Sequence, residues 1–362
     1  MTSDRKIIQG KLKKIQCCKC GLISSDEIFP NNKKIEKNYK INYSYNISQN
    51  GDTFFFTQSE AQDRSSYVFD WILDIVPKKE MERVKTIVEV GCGEGNLLAK
   101  FYNQFPDKKS IGFELNKNAI KIGRNRGLDI RRLDELHDIK ADLVISYAVI
   151  EHTLSPKKFL KSLCDILNLG GLIITGQPHQ DKPYYDVFFV DHLHHFSTKH
   201  IQDLARQVNL VQIKKSIGAW PIDSFSLHLF KLSNRRLISR IIYRKTQTKI
   251  SVKYYKKVFR NINSLLTKAK YGRLAVFGLG EVFSLFYTYS KLSRLGIKYG
   301  IDDFPKNKYE FSFPVISSQD VGKFDIDTIL FCINPKYYKI VLKKLHGKRY
   351  KALLPFDKKF NL

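Results

Sequence analysis

The chain has 362 residues, of which 43% are hydrophobic and 13% aromatic. This length is more than one ordinary domain needs, and the apolar share excludes a disordered or collagen-like chain. The 62 Lys and Arg residues against 35 Asp and Glu residues give a formal net charge of +27. Such an excess of positive charge favours an anionic partner, such as nucleic acid, a phosphorylated substrate or an acidic membrane surface. The alternative is that the lysines lie on solvated surfaces and bind no partner.

The start of the chain carries no apolar run of signal-peptide length. The longest apolar stretch, residues 143–150, is far shorter than the roughly 20 residues that cross a bilayer. We therefore expect a cytoplasmic protein whose membrane contact, where it has one, is peripheral and at the inner face.

Residues 1–62 have little periodicity and are predicted to form an N-terminal extension. Cys17 and Cys20, followed by Gly21, form a C-x-x-C-G turn that is half of a zinc knuckle. A closed structural zinc site takes four ligands, and no second cysteine pair lies nearby. We therefore expect a structural turn rather than a zinc site, and we assign no metal ligand from the sequence.

Residues 63–220 alternate predicted helices and strands. A first amphipathic helix starts at Asp63 and closes before Pro77. Strands are predicted at 86–90, 110–113, 143–146 and 172–175, and helices at 96–105, 116–126 and 157–167, the last of them stopped by Gly170 and Gly171. This alternation is typical of a doubly wound, parallel α/β sheet of the Rossmann-like kind.

Residues 221–272 are predicted to be a basic helical linker. Fourteen Lys or Arg residues lie between Lys231 and Arg273, and no Asp or Glu interrupts them. Apolar residues recur near helical spacing, which indicates one or two amphipathic helices. Their charges either face water, or contact an anionic membrane or lipid-phosphate-linked substrate, or contact nucleic acid.

Residues 273–362 repeat the α/β pattern on a smaller scale. A strand at 274–277 leads into the turn Gly278-Leu279-Gly280, a helix at 282–295, and strands at 298–301 and 328–333. The segment is predicted to be a second, smaller Rossmann-like domain.

The turn after the first strand of the larger domain is the strongest chemical signal in the chain. Glu89 lies near the end of the strand, and Gly91, Gly93 and Gly95 follow at alternate positions in the turn. Glycines let the backbone approach a ligand closely and adopt positive φ. Glu114 ends the next strand, where a carboxylate can accept both hydroxyls of a ribose.

These motifs carry a family resemblance. Residues 88–95, Glu114 and residues 146–152, followed by Ser155-Pro156, resemble class I S-adenosylmethionine-dependent methyltransferases. The resemblance implies that the three glycines pass under the methionine part of S-adenosylmethionine, that Glu114 holds the ribose and that residues 134–136 flank the adenine. The predicted cofactor residues are Glu89, Gly91, Cys92, Gly93, Gly95, Glu114, Leu115, Asp134, Glu135 and Tyr147.

The domain arrangement gives a narrower resemblance. An N-terminal cysteine module, the segment 191–197 and a C-terminal Rossmann-like unit make the chain similar to bacterial sugar C-methyltransferases, which act on nucleotide-linked keto sugars in deoxysugar and surface-polysaccharide biosynthesis. Two features depart from that family. Phe189 stands where the family has a tyrosine base, and the cysteine module has fewer ligands. The resemblance therefore implies a nucleotide-linked or phosphorylated sugar acceptor and leaves open whether oxygen or carbon is methylated.

Histidines are concentrated on the expected acceptor side. Five of the nine histidines lie between residues 152 and 195. Ligands of open α/β sheets bind at the carboxyl ends of the strands, and a histidine can act as a base at neutral pH. We predict His192 and His195 as base or acceptor contacts, with Asp191 orienting a neighbouring histidine and His152 beside them. The alternative is that this segment packs as an ordered lid.

Other functions stay open at this point. The domain could bind its cofactor without turnover, or methylate another small molecule, a lipid-linked acceptor or an RNA ribose. Methylation of nucleic-acid bases is not favoured, because the chain has Ser146-Tyr147-Ala148-Val149 where amino-methylating enzymes carry Asn/Asp/Ser-Pro-Pro-aromatic. The oligomeric state is not predicted.

Overall fold

A computed structural model describes residues 3, 12–26, 54–56, 61–219, 222–235, 237, 248–268, 272–303 and 311–356. The chain forms two compact units. One comprises the described residues of Lys11–Lys182 and Val190–Gln247, and the other those of Met1–Gly10, Pro183–Phe189 and Thr248–Leu362. The predicted domain boundaries at 62, 220 and 272 stay predictions.

The first unit contains most of the secondary structure. Its strands are β1 (Lys14–Gln16), β2 (Ile23–Ser25), β3 (Phe54–Phe56), β4 (Ala61–Asp63), β5 (Thr86–Val90), β6 (Lys109–Glu114), β7 (Ile130–Arg132), β8 (Ala141–Tyr147), β9 (Leu167–Pro178), β10 (His194–His195), β11 (Leu210–Ile217) and β12 (Phe225–Leu232). Its helices are α1 (Arg64–Ile75), α2 (Lys78–Arg83), α3 (Asn96–Gln104), α4 (Lys117–Asn125), α5 (Pro156–Asp165) and α6 (Thr198–Arg206).

A seven-stranded sheet with the order β11-β12-β9-β8-β5-β6-β7 forms the centre of this unit. Strands β5 to β9 run parallel, and β12 pairs antiparallel with both β9 and β11. The doubly wound α/β fold predicted from the sequence is confirmed. The antiparallel strand β12 is an addition that the sequence pattern did not predict.

Apolar side chains explain why these segments fold as they do. Helix α1 begins where the Asp63 carboxylate accepts the amide of Ser66 at 2.8 Å, which caps the helix. Its apolar stripe, with Val68 and Ile72 buried, packs in one core cluster with strand residues such as Ile87. A second cluster contains Val88, and since neighbouring strand residues point to opposite faces, the sheet is buried on both sides.

Gly170 and Gly171 do not have the predicted role. We expected them to stop a helix at residue 167, but α5 ends at Asp165 and both glycines lie within β9. Gly170 has φ +81°, and the pairing of β8 with β9 jumps from Leu167 to Leu172 at this point. The glycines therefore form a bulge at the start of the strand.

A small antiparallel sheet joins the N-terminal residues to the histidine segment. Its order is β1-β2-β10, with Ser24 opposite His194 and Ile23 opposite His195. The cysteine turn connects β1 and β2, and Gly21 adopts φ +78° within it. A separate two-stranded ladder pairs β3 with β4.

The second unit contains a five-stranded parallel sheet of order β15-β14-β13-β16-β17. Its strands are β13 (Leu274–Phe277), β14 (Ile297–Ile301), β15 (Val315–Ile316), β16 (Thr328–Phe331) and β17 (Lys351–Leu353), and its helices are α7 (Thr248–Lys268), α8 (Glu281–Tyr289) and α9 (Tyr338–Lys344). The Rossmann-like alternation predicted for this part of the chain is present. Phe188 and Phe189 pack into its apolar core with Tyr255 and Phe259 of α7.

The predicted helical linker 221–272 is wrong for residues 225–232, which form strand β12 because they pair with β9, whereas residues 248–268 form helix α7. This helix buries Tyr255, Val258 and Ile262 and exposes a row of cations: Lys253, Lys256, Lys257, Arg260 and Lys268. The basic residues at 236 and 238–247 lie outside the described residues. Among the described helices, none is long and apolar enough to cross a membrane.

Candidate functional site

The glycine loop after β5 adopts the conformation for which its sequence is suited. Gly91, Gly93 and Gly95 have φ of +78°, +57° and +79°. A Cβ on Gly91 would lie 2.4 Å from Val149 Cγ2, and one on Gly95 would lie 2.6 Å from Leu128 Cδ1. A Cβ on Gly93 would meet nothing within 4 Å. The loop is thus packed on two of its glycines and open at the third.

Glu114 holds this loop against the end of β6. Its Oε2 accepts the amide of Gly93 at 2.8 Å, and its Oε1 accepts the amides of Leu115 at 2.7 Å and Asn116 at 2.8 Å. Three backbone donors therefore fix the orientation of the carboxylate beside the open glycine. Oε1 already accepts two amides, whereas Oε2 accepts one and has a further lone pair with which to accept a hydroxyl.

Glu89 lies beneath the loop and is only 5% exposed. Burial, reinforced by the negative charge of Glu114, raises the pKa of Glu89 to about 8. The carboxyl group is therefore largely protonated at neutral pH and can donate a hydrogen bond. Its Oε2 has no hydrogen-bond partner among the described residues, so this buried polar atom can accept a ligand group.

The remaining predicted cofactor residues differ in placement. Leu115 follows Glu114 and is half-buried. Asp134 and Glu135 lie on an exposed turn after β7, where Asp134 forms an ion pair with Arg132. The Cys92 side chain packs with Leu98 in a small core cluster, and burial raises the pKa of its thiol. Roles for these residues in cofactor binding stay predictions.

Tyr147 closes β8 on the other side of the glycine loop. Its ring stacks on Phe225, with centroids 5.4 Å apart, and the Arg64 guanidinium lies 5.0 Å from its centroid. A Cβ on Gly176 would lie 2.4 Å from the Tyr147 ring, so this glycine lets the ring lie against β9. The next residue, Ala148, has φ +56°. Positive φ outside glycine is uncommon and often occurs where a strand end meets a ligand.

The structure brings three of the predicted acceptor-side residues together. His152, in the 3₁₀ turn Ile150–His152 after β8, meets His192 edge to face, with ring centroids 4.7 Å apart. His195 stacks near His192 at 6.4 Å. Both His192 and His195 are buried, and His152 is half-buried. Asp191 contacts this histidine cluster through its backbone, because its carbonyl oxygen lies 2.9 Å from His152 Nδ1.

The N-terminal strands hold this histidine segment in place, which the sequence did not predict. The carbonyl of His192 accepts from Lys14 Nζ at 2.8 Å and from Ser25 Oγ at 3.3 Å. The carbonyl of Leu193 accepts the amide of Ser25 at 2.8 Å. The His194 side chain contacts β2, because its Nδ1 forms a hydrogen bond with Ser24 Oγ at 2.9 Å. Burial lowers the pKa of His194 to about 4.

The cysteine turn offers the two thiols of the C-x-x-C motif, and Cys18 is a third, where a structural zinc site needs four ligands. Hydrogen bonds from the backbone at Cys20 and Lys19 lower the pKa of the exposed Cys17 thiol. His200 Nε2 lies 2.8 Å from the carbonyl of Cys20, so this ring ties the turn to α6. The groups of three metal-capable side chains found within the described residues contain no cysteine.

Part of the chain matches a family model. Residues 61–215 match the model of a methyltransferase domain, which is less than half of the chain. A search of curated proteins gives no match. The matched segment contains the glycine loop, Glu114 and the histidine cluster of His152, His192 and His195.

Several solved structures are similar to this chain. An S-adenosylmethionine-dependent methyltransferase from Thermotoga maritima, described as a possible histamine N-methyltransferase, is 19% identical, with a TM-score of 0.36 over 47% of this chain and 89% of that one. A methyltransferase of the same kind from Clostridium acetobutylicum is 14% identical, with a TM-score of 0.36 over 47% and 91%. An O-methyltransferase family protein from Burkholderia thailandensis is 13% identical, with a TM-score of 0.38 over 47% and 56%.

These structural similarities say nothing about the acceptor. The protein is an enzyme, and its residues 61–215 match a methyltransferase domain.

Proposed function

We propose that the enzyme methylates a nucleotide-linked or otherwise phosphorylated sugar, in the biosynthesis of deoxysugars or surface polysaccharides. The observation that carries this proposal is the cluster of His152, His192 and His195 beside the carboxyl end of β8. A sugar hydroxyl, or a carbon next to a keto group, must lose a proton when it is methylated. A buried imidazole next to the cofactor loop supplies that base.

Residues of the loop would hold the cofactor. S-adenosylmethionine supplies a methyl group on a positively charged sulfur. Glu114, fixed by three amides, would accept a ribose hydroxyl at Oε2, and the open side of Gly93 leaves room for the cofactor. The Glu89 carboxyl group and the Tyr147 ring would border the methionine part and the transferred methyl.

The base assignment rests on His192 and His195. Their rings lie on a segment held by backbone hydrogen bonds, so they are positioned before a substrate arrives. Asp191, predicted to orient a neighbouring histidine, fits that role through its carbonyl oxygen on His152. Phe189 is a core residue of the C-terminal unit, which agrees with a base other than the tyrosine that the sugar C-methyltransferases have at this position.

Charge supports an acceptor that carries phosphate. Helix α7 has no acidic residue and exposes five cations, and the whole chain has a net charge of +27. Lysine and arginine attract phosphate groups and raise the rate at which an anionic substrate is captured. A lipid-linked acceptor at an anionic membrane surface is the alternative that the same cations support.

A two-stage experiment tests the proposal. Isothermal titration first measures S-adenosylmethionine affinity, and the protein is then incubated with isotopically labelled cofactor and a panel of nucleotide sugars, free nucleotides, lipid-linked sugars and RNA. We expect label in one or more nucleotide sugars, and NMR of the product identifies the methylated atom. Cofactor binding without any product would indicate a binding scaffold, and label only in lipid-linked sugars or only in RNA would also overturn the proposed acceptor.

A further inference from the structure

We propose that Glu151, His152 and His192 bind a divalent transition-metal ion. Each side chain offers one ligand atom, and these three atoms lie within 4.8 Å of one another. Two imidazoles and one carboxylate are a ligand set that holds Zn²⁺, Mn²⁺, Fe²⁺ or Co²⁺ in proteins.

The burial of Glu151 is the first supporting observation. This residue is 1% exposed. A carboxylate that leaves water needs a cation or several hydrogen bonds, because the desolvation of an ionised group is costly. A divalent ion between Glu151 and the two imidazoles would compensate this buried charge. The ion would lie beside the carboxyl end of β8.

The hydrogen bond at His152 prepares its ring as a ligand. Nδ1 of His152 lies 2.9 Å from the carbonyl oxygen of Asp191. A carbonyl only accepts, so Nδ1 must carry the proton, and the lone pair of the neutral ring is then on Nε2. Ligating histidines commonly donate their second ring nitrogen to a carbonyl or carboxylate in this way, which fixes the tautomer and the ring orientation.

Backbone hydrogen bonds fix the distance between the two ligand segments. The amide of Leu193 donates to the carbonyl of Glu151 at 2.7 Å, which ties the residue after His192 to the turn that carries the other two ligands. The carbonyls of His192 and Leu193 are bound in turn by Lys14 and Ser25. The three ligands therefore sit on a frame that is in place without the metal.

Three protein ligands leave coordination positions open. An ion held in this way can bind an oxygen of the acceptor and lower the pKa of a bound hydroxyl. This role rests on the proposed function, since it requires an acceptor with a hydroxyl or keto oxygen. With His192 as a ligand, the base is His195. The ion-binding site itself does not depend on the identity of the acceptor.

Metal uptake can be measured without any turnover. Cys17 and Cys20 are a second potential metal binder, so the parent for the experiment is the full chain, without a histidine tag, carrying Cys17→Ser and Cys20→Ser. Chelator-treated protein is titrated with Co²⁺, and the ligand-field absorption and the bound metal per chain are recorded. Glu151→Gln and His192→Ala test the site, and His346→Ala, an exposed histidine of the C-terminal unit, is the matched control.

We expect one Co²⁺ per chain in the parent and in the His346→Ala variant, and at least tenfold weaker binding in both ligand variants. S-adenosylmethionine affinity serves as the folding control. If His192→Ala does not fold, the Co²⁺ affinity of Glu151→Gln tests the site on its own, because this variant keeps the size of the side chain. A parent that binds no Co²⁺, or ligand variants that bind it as the parent does, would overturn the site.

The metal site and the proposed function fail separately. Co²⁺ uptake together with no methylated sugar would retain the site and remove the proposed acceptor. Methylated sugar without metal uptake would retain the acceptor and remove the site.

Discussion

The sharpest test of the cofactor site is a methyl group added to Gly93. This glycine has φ +57°, and no atom of the described residues lies within 4 Å of the position that a Cβ would take. Gly93→Ala therefore meets none of these atoms, and we expect its cost to folding to be that of the left-handed conformation, about 1–2 kcal/mol. The new methyl would, however, enter the side of the loop that we assign to S-adenosylmethionine.

Two other glycines separate strain from obstruction. Gly170 has φ +81°, and a Cβ there would also have no atom of the described residues within 4 Å. This glycine lies near the amino end of β9, away from the carboxyl ends of the strands. Gly170→Ala should lose the same 1–2 kcal/mol and keep full cofactor affinity. Gly91→Ala adds a 2.4 Å approach to Val149 Cγ2, so overpacking of about 1–3 kcal/mol adds to its strain.

Isothermal titration and thermal unfolding measure the two effects independently. We expect Gly93→Ala to bind S-adenosylmethionine at least tenfold more weakly than wild type, which is about 1.4 kcal/mol, while its stability matches that of Gly170→Ala. Gly91→Ala should be the least stable of the three. If Gly93→Ala bound the cofactor as tightly as Gly170→Ala does, the cofactor would not pass over this glycine, and the assignment of the loop would be wrong.

Three further predictions concern the acids and the histidines. Glu114→Ala should weaken S-adenosylmethionine binding. It should also destabilise the protein by about 1–3 kcal/mol, because three amides lose their acceptor. Full cofactor affinity of this variant in isothermal titration would show that Glu114 does not hold the ribose. The pKa of Glu89, about 8 in the folded protein against an ordinary value of 4.5, means that the folded state holds this proton more tightly than the unfolded state does. Its contribution to stability is therefore complete below pH 4.5 and is lost as the pH rises towards and through 8, so the thermal midpoint of wild type should fall over this range more than that of Glu89→Gln. His192→Ala and His195→Ala should retain cofactor affinity, and at least one should lower turnover by about 10²–10⁴-fold; normal turnover in both variants would exclude these histidines as the base.

Local signals in the sequence were sufficient to place the glycine loop beside Glu114. The apolar run Thr86–Val90, the three glycines and the acid at the end of the next strand are contiguous or one βαβ step apart, so the pattern itself places them together. The predicted strand 86–90 agrees with the structure at both ends. Asp63, predicted to start a helix, is the cap of α1.

The acceptor side depends on contacts that no local pattern shows. Strands β1, β2 and β10 are two or three residues long, and His194 lies 170 residues from Ser24, its partner in the pairing. Segments this short have no measurable periodicity, and pairing over such a separation leaves no signal in a single sequence. The bulge at Gly170 was missed for a related reason, since a glycine pair after a helical pattern normally indicates the helix end.

The N-terminal strands change the interpretation of the cysteine turn. From the sequence, Cys17 and Cys20 indicated an incomplete zinc knuckle in an extension of unknown order. In the structure, the turn joins the two strands whose side chains and amides hold the carbonyls of His192 and Leu193. Each of these hydrogen bonds contributes about 0.5–1.5 kcal/mol net, and more for the one from the charged Lys14. The turn therefore joins the two strands whose contacts fix where His192 and Leu193 lie relative to the turn after β8.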